Sequence, residues 1–204
     1  MRTTKWIAVA MVLACAVSAM AWRQPPEPAT ATKVIHYTPP ATMPDAGRSG
    51  FCWVGSIADP YRTDSWRCME GNAIHDPCFR LSDRKAVVCG ANPATGTHGF
   101  KLNLTKPLPE SDAHPAPTDH PWPWLVELTD GTTCMRFTGT APFVDGQAGY
   151  YGCPSQDKGR QTLLLGNLDN THPLWTAQKA ILVKSRTAWH IQSSQSVPVR
   201  AVWE

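Results

Sequence analysis

Trp124-Leu125-Val126-Glu127-Leu128-Thr129-Asp130-Gly131-Thr132-Thr133-Cys134 is the stretch on which the fold reading turns. Trp124, Val126 and Leu128 alternate against Leu125, Glu127 and Thr129, the two-residue period of a half-buried strand. Asp130-Gly131 then supplies residues that tolerate the positive φ of a tight hairpin turn, and Asp145-Gly146 repeats the signal fifteen residues on. Residues 124 to 153 therefore read as a three-strand meander. Outward from it, Phe100, Leu102 and Leu104 alternate against Lys101 and Asn103. Further strand candidates are Phe51 to Ile57, Ala86 to Cys89, Thr162 to Leu165, Ala180 to Lys184, Thr187 to Gln192 and Val197 to Trp203. Helix is confined to single turns at Ser65 to Met69 and Asn72 to His75, because Pro77 stops anything longer. No fixed-period repeat is visible. The pattern predicts a mostly β fold: a single disulfide-stabilised domain over residues 48–204, a sandwich or small open barrel with few short helical turns.

Six cysteines fall inside that span: Cys52, Cys68, Cys78, Cys89, Cys134 and Cys153. Nearest-neighbour pairing, Cys52 with Cys68, Cys78 with Cys89 and Cys134 with Cys153, closes loops of fifteen, ten and eighteen intervening residues. Six cysteines allow fifteen connectivities, and this one is the most local. A zinc site needs ligands in close pairs, two to four residues apart; none of these cysteines is so spaced, and no metal or cofactor is expected.

An even cysteine set suits export, and the start of the chain carries a leader pattern. Arg2 and Lys5 precede an apolar run from Ile7 to Val17, and Ala19-Met20-Ala21 offers a cleavage site, so residues 1–21 read as a signal peptide. The protein is expected to be secreted or periplasmic. Val12-Leu13-Ala14-Cys15 also fits a lipobox, which would instead anchor the chain through a lipid on Cys15. Residues 22–47, rich in Pro, Ala and Thr, read as an extended linker. No later stretch approaches the roughly 20 apolar residues of a membrane helix, so an integral membrane protein is not expected. Without Arg2 and Lys5 the chain has 17 Lys and Arg against 16 Asp and Glu, with no basic stripe, which argues against nucleic acid as a partner.

Several runs carry a resemblance: Cys52-Trp53-Val54-Gly55-Ser56, Ser65-Trp66-Arg67-Cys68-Met69, Asn72-Ala73-Ile74-His75-Asp76-Pro77-Cys78-Phe79 and Tyr151-Gly152-Cys153. With Leu104 to Pro109, Glu127 to Gly131 and Trp175-Thr176-Ala177, the pattern resembles a group of exported bacterial proteins of uncharacterised activity. The resemblance covers most of residues 51 to 180 and implies export and a shared fold, but no chemistry.

Candidate chemistry is sparse. His75-Asp76 offers a base beside a carboxylate, yet adjacent side chains seldom face each other, and a backbone-capping role for Asp76 is the simpler reading. His114 and His120 lie in a Pro-rich crossing from Pro107 to Pro123. Motifs for a nucleophile turn, a metalloprotease helix or a phosphate loop are missing, so no catalytic residue is assigned. Seven of the nine tryptophans fall within the domain, and Trp124, Trp189 and Trp203 take core positions on strands. Trp122, held between Pro121 and Pro123 beside His120, is expected to be partly exposed, so His120 and Trp122 form the candidate binding patch. The favoured function is a non-catalytic binding or inhibitory module for a protein or cell-wall component. The alternative is an envelope-polymer hydrolase using a carboxylate pair drawn from Asp59, Asp64, Glu70, Asp76, Glu110 and Glu127.

Overall fold

The structure, a computed structural model, describes residues 29–110, 122–155, 157, 159–186 and 188–204. The leader, Cys15, His114 and His120 lie outside the described residues. Mostly β architecture is what the chain adopts, in two closed sheets. The first is built from β2 (Ser49–Gly55), β3 (Ser65–Glu70), β4 (Ala73–Arg80), β5 (Ala86–Cys89) and β6 (Phe100–Leu104). These strands run up and down in sequence order, and β6 returns to pair with β2. With an odd number of alternating strands the first and last must point the same way, so this closing seam is parallel (Ser49 to Asn103, Gly50 to Leu104). On its other side Gly50 runs so close to β3 that a Cβ there would lie 2.1 Å from the carbonyl oxygen of Met69.

The second sheet comprises β7 (Leu125–Leu128), β8 (Thr133–Arg136), β10 (Gln147–Cys153), β11 (Arg160–Asp169), β12 (Thr176–Ser185) and β13 (Ala188–Trp203), with β9 (Phe143–Val144) hairpinned onto β10. Six strands in the circuit allow antiparallel closure, and β13 pairs with β7 from Val199–Leu128 to Trp203–Leu125. The meander expected over 124 to 153 is present, with both Asp-Gly pairs in its turns; Asp145 and Gly146 have φ of 49° and 81°.

Two expected helical turns are strands instead. Ser65 to Met69 lies in β3 and Asn72 to His75 spans the turn into β4, because Gly71, at φ +55°, starts a two-residue hairpin that pairs Glu70 with Ala73. A single 3-10 turn, Pro93–Thr95, is the helical element among the described residues. The candidates at 187 to 192 and 197 to 203 merge into β13, since the polar run between them pairs along β12.

Part of the stretch read as linker is docked. β1 (Lys33–Ile35) adds to β13 in parallel, opposite Ala201 to Trp203, and Tyr37 N–H donates to the Glu204 carbonyl at 2.9 Å. Tyr37 packs against Phe79 of the first barrel and Trp124 of the second, with ring centroids 4.8 and 5.5 Å away. This aromatic trio sits in a shared core where Ala58, Leu81, Ala86 and Val88 meet Leu125, Ala201 and Trp203.

All three disulfides follow the local pairing: Cys52–Cys68, Cys78–Cys89 and Cys134–Cys153. The first two join residues directly opposite each other on neighbouring antiparallel strands, with Cα atoms 3.8 and 4.3 Å apart. Among the described residues no helix is long and apolar enough to cross a membrane.

Candidate binding face at the barrel junction

The loop between β2 and β3, residues 56 to 64, runs along the rim of the junction and is held by buried acids. Asp76, whose side chain is fully buried, accepts from the Ser56 hydroxyl, from Ile57 N–H at 3.1 Å and from Ala58 N–H at 3.4 Å. Arg67 Nη1 completes its shell at 3.2 Å and also donates to the Thr138 carbonyl, tying β3 to the second barrel. Burial raises the Asp76 pKa, opposed by those hydrogen bonds and by Arg67. The capping role read for Asp76 is thus carried out on a loop some twenty residues back. His75 takes no part: its Nε2 lies 3.2 Å from Glu70 Oε2, its ring meets Phe100 edge-on, and Glu70 is itself held by Arg48.

Asp59 is 2% exposed, and burial pushes its pKa up to about 7 against the pull of Arg62, whose Nε lies 3.7 Å away. Arg62 is spent elsewhere. It forms a two-pronged pair with Asp64 at 2.9 Å, donates to the Tyr37 carbonyl and stacks on Phe79. Of the other carboxylates weighed from sequence, Glu127 pairs with Arg200 at 3.1 Å and Glu110 is exposed. The three closest acids, Asp59, Asp64 and Asp76, share this rim, but their functional groups face the protein.

Trp122 is half-buried, and its ring covers the Arg136 guanidinium, whose Cζ lies 3.1 Å from the ring centroid. Tyr61 meets Trp122 edge-on at 6.1 Å. Arg136 is buried, which lowers its pKa, and donates from Nη1 to the Tyr151 hydroxyl at 3.1 Å. Tyr151 passes a hydrogen bond on to the Pro123 carbonyl, and burial pushes its own pKa up to about 12. A cation wrapped in rings gains from their negative faces what it loses in hydration. Arg136, Arg67 and Tyr61 went unread in the sequence; each is an ordinary residue whose partner here lies elsewhere in the chain.

Exposed apolar side chains border the same loop: Trp53 at 38% and Ile57 at 48%, with Arg67 stacked 5.7 Å from the Trp53 ring. Trp53 of β2 and Ile57 thus flank the start of the loop, and Tyr61 further along meets Trp122. In the first barrel, the sulfurs of Cys68, Cys78 and Cys89 lie within 4.8 Å of one another, but each is committed to a disulfide and offers no thiolate.

No protein-family model matches the chain, and no curated protein or solved structure does either. What fold and site define is a class: a disulfide-stabilised module of two small β barrels sharing one core, with an aromatic rim at their junction.

Proposed function

We propose that the protein is an exported, non-catalytic binding module that engages an envelope protein through the junction rim, with Trp53, Ile57, Tyr61 and Trp122 as its contact residues. Export is supported by the leader pattern and by disulfides, which persist in oxidising compartments. The observation that carries the binding role is the division of labour around loop 56 to 64. Asp59 of the loop is buried, Asp64 pairs with Arg62 and Asp76 of β4 accepts from the loop backbone, while Trp53 and Ile57 beside them border solvent. Trp, Tyr and Arg are the residues that anchor protein interfaces. A sugar polymer would also need polar side chains beside the rings to read its hydroxyls, and Asp59 and Asp76 are turned inward. The hydrolase alternative draws on the raised pKa of Asp59, but an acid 2% exposed does not reach a polymer.

A test is capture from envelope extract with the folded chain as bait, run beside Trp53→Ala and beside Phe143→Ala as an exposed control on β9. Trp53→Ala should weaken capture of one defined protein about thirtyfold, roughly 2 kcal/mol, while Phe143→Ala leaves it intact. Equal capture by all three baits, or binding only to purified cell wall, overturns the reading.

A further inference from the structure

We infer that the first barrel carries a second, independent site: a groove that takes an oxyanion borne on an apolar stem. A cavity of about 340 Å³ opens between Trp66 of β3, Arg80 at the end of β4, Arg84 in the following turn and the strap Pro107–Pro109. That volume suits a small ligand. The arginines of this chain make the case by contrast. Arg48, Arg62, Arg67 and Arg200 each pair with a carboxylate. Among the described residues, Arg80 and Arg84 do not; Arg136, Arg160 and Arg186 also lack a carboxylate, but Arg80 and Arg84 bring two like charges to one cavity. The acids nearest in sequence are already engaged: Asp76 accepts from Ser56, Ile57 N–H and Arg67, and Asp83 accepts from Lys85 N–H at 2.9 Å.

The geometry prepares the pair. Arg80 is half-buried with its guanidinium 5.9 Å from the Trp66 ring centroid, which limits its rotamers. Arg84 stands at φ +54°, a conformation costly for any side chain but glycine, in a turn closed by its N–H on the Leu81 carbonyl at 3.1 Å. Planar guanidinium forks match the oxygens of a carboxylate or phosphate, and the Pro-Leu-Pro strap provides an apolar wall without proline N–H donors. Trp66 is 2% exposed, and its Nε1 has no hydrogen-bond partner among the described residues, so its indole proton is a sensitive reporter of the groove.

The experiment is a titration of the oxidised full chain followed by the Trp66 indole N–H resonance, assigned by Trp66→Phe. N-acetyl-leucine presents a carboxylate and butyl phosphate a phosphate, each on an apolar stem, and sodium chloride matches ionic strength. A saturable shift with either ligand is expected, the tighter one naming the head group, and Arg80→Gln and Arg84→Gln should each weaken it at least tenfold. Arg84→Gly, which suits the backbone at that position, should fold as the parent does and show the same loss. No saturable shift with either ligand, an equal shift with chloride, or binding that survives the arginine changes would each overturn the site.

Discussion

Four of the seven buried side chains in the interior of the first barrel are half-cystines, Cys52, Cys68, Cys78 and Cys89, whereas the corresponding ten in the second barrel include one, Cys134. The seams differ in the same sense. The first barrel closes through two parallel residue pairs, the second through four antiparallel ones ending at Trp203 and Leu125. A small barrel has little interior to fill with aliphatic side chains and, with five strands, must close by the weaker parallel pairing. Its two cystines occupy the interior and cross-link β2 to β3 and β4 to β5. The second barrel has Val126, Leu128, Leu164, Val199 and Val202 inside and a further cluster around Leu163, Leu165 and Leu182 outside, so sulfur matters less to it.

Replacing all four cysteines of the first barrel by alanine should produce the largest loss, about 6 kcal/mol from two loops worth roughly 3 each, comparable to the whole stability of a small domain. Hydrogen exchange should then show the amides of 49 to 104 unprotected while those of 125 to 203 keep protection; equal loss in both would break the contrast. Trp124→Ala should cost about 3–5 kcal/mol, because the ring is fully buried between Tyr37 and Phe79. Denaturant unfolding should report both barrels weakened together, and an effect confined to the second would mean that the shared core does not couple them. Removing Cys134 and Cys153 together should lower stability by about 3 kcal/mol yet leave a folded second barrel by near-ultraviolet circular dichroism.

The smallest effect concerns Asp59. Its folded pKa, about 7, exceeds the ordinary 3.8, so below about pH 4 both folded and unfolded chains hold the proton and nothing is lost. Between pH 4 and 7 the unfolded chain releases the proton that the folded chain retains, and stability falls as pH rises, levelling above the folded value. Asp59→Asn should therefore raise the melting temperature relative to the parent by an amount that grows from pH 4 to pH 7. A difference that is flat with pH would show that Asp59 ionises freely.

The legible parts of the fold were those with local causes. The meander over 124 to 153 rests on alternation and on two Asp-Gly turns, and the disulfides join cysteines brought together by hairpins or by adjacent strands of the meander. β3 was misread because its pairing slips between Trp66 and Cys68, which spoils the alternation, and because Gly71-Asn72 looks like an irregular turn. The docked β1 was illegible: three residues in a Pro-rich run gain their partners from Ala201 to Trp203 at the other end of the chain. Of the candidate site, Trp122 was visible, but its cover over Arg136 was not, because that contact depends on where β8 passes beneath Pro123.

Periodicity and cysteine spacing by themselves determined the strand-rich class and the three disulfides, because each depends on residues close together in the chain. Tertiary structure alone decided that the sheets close, that they share the Tyr37–Phe79–Trp124 core, and which acids turn inward at loop 56 to 64. Closure and burial are set by contacts between residues far apart in sequence, whose partners a local pattern does not name.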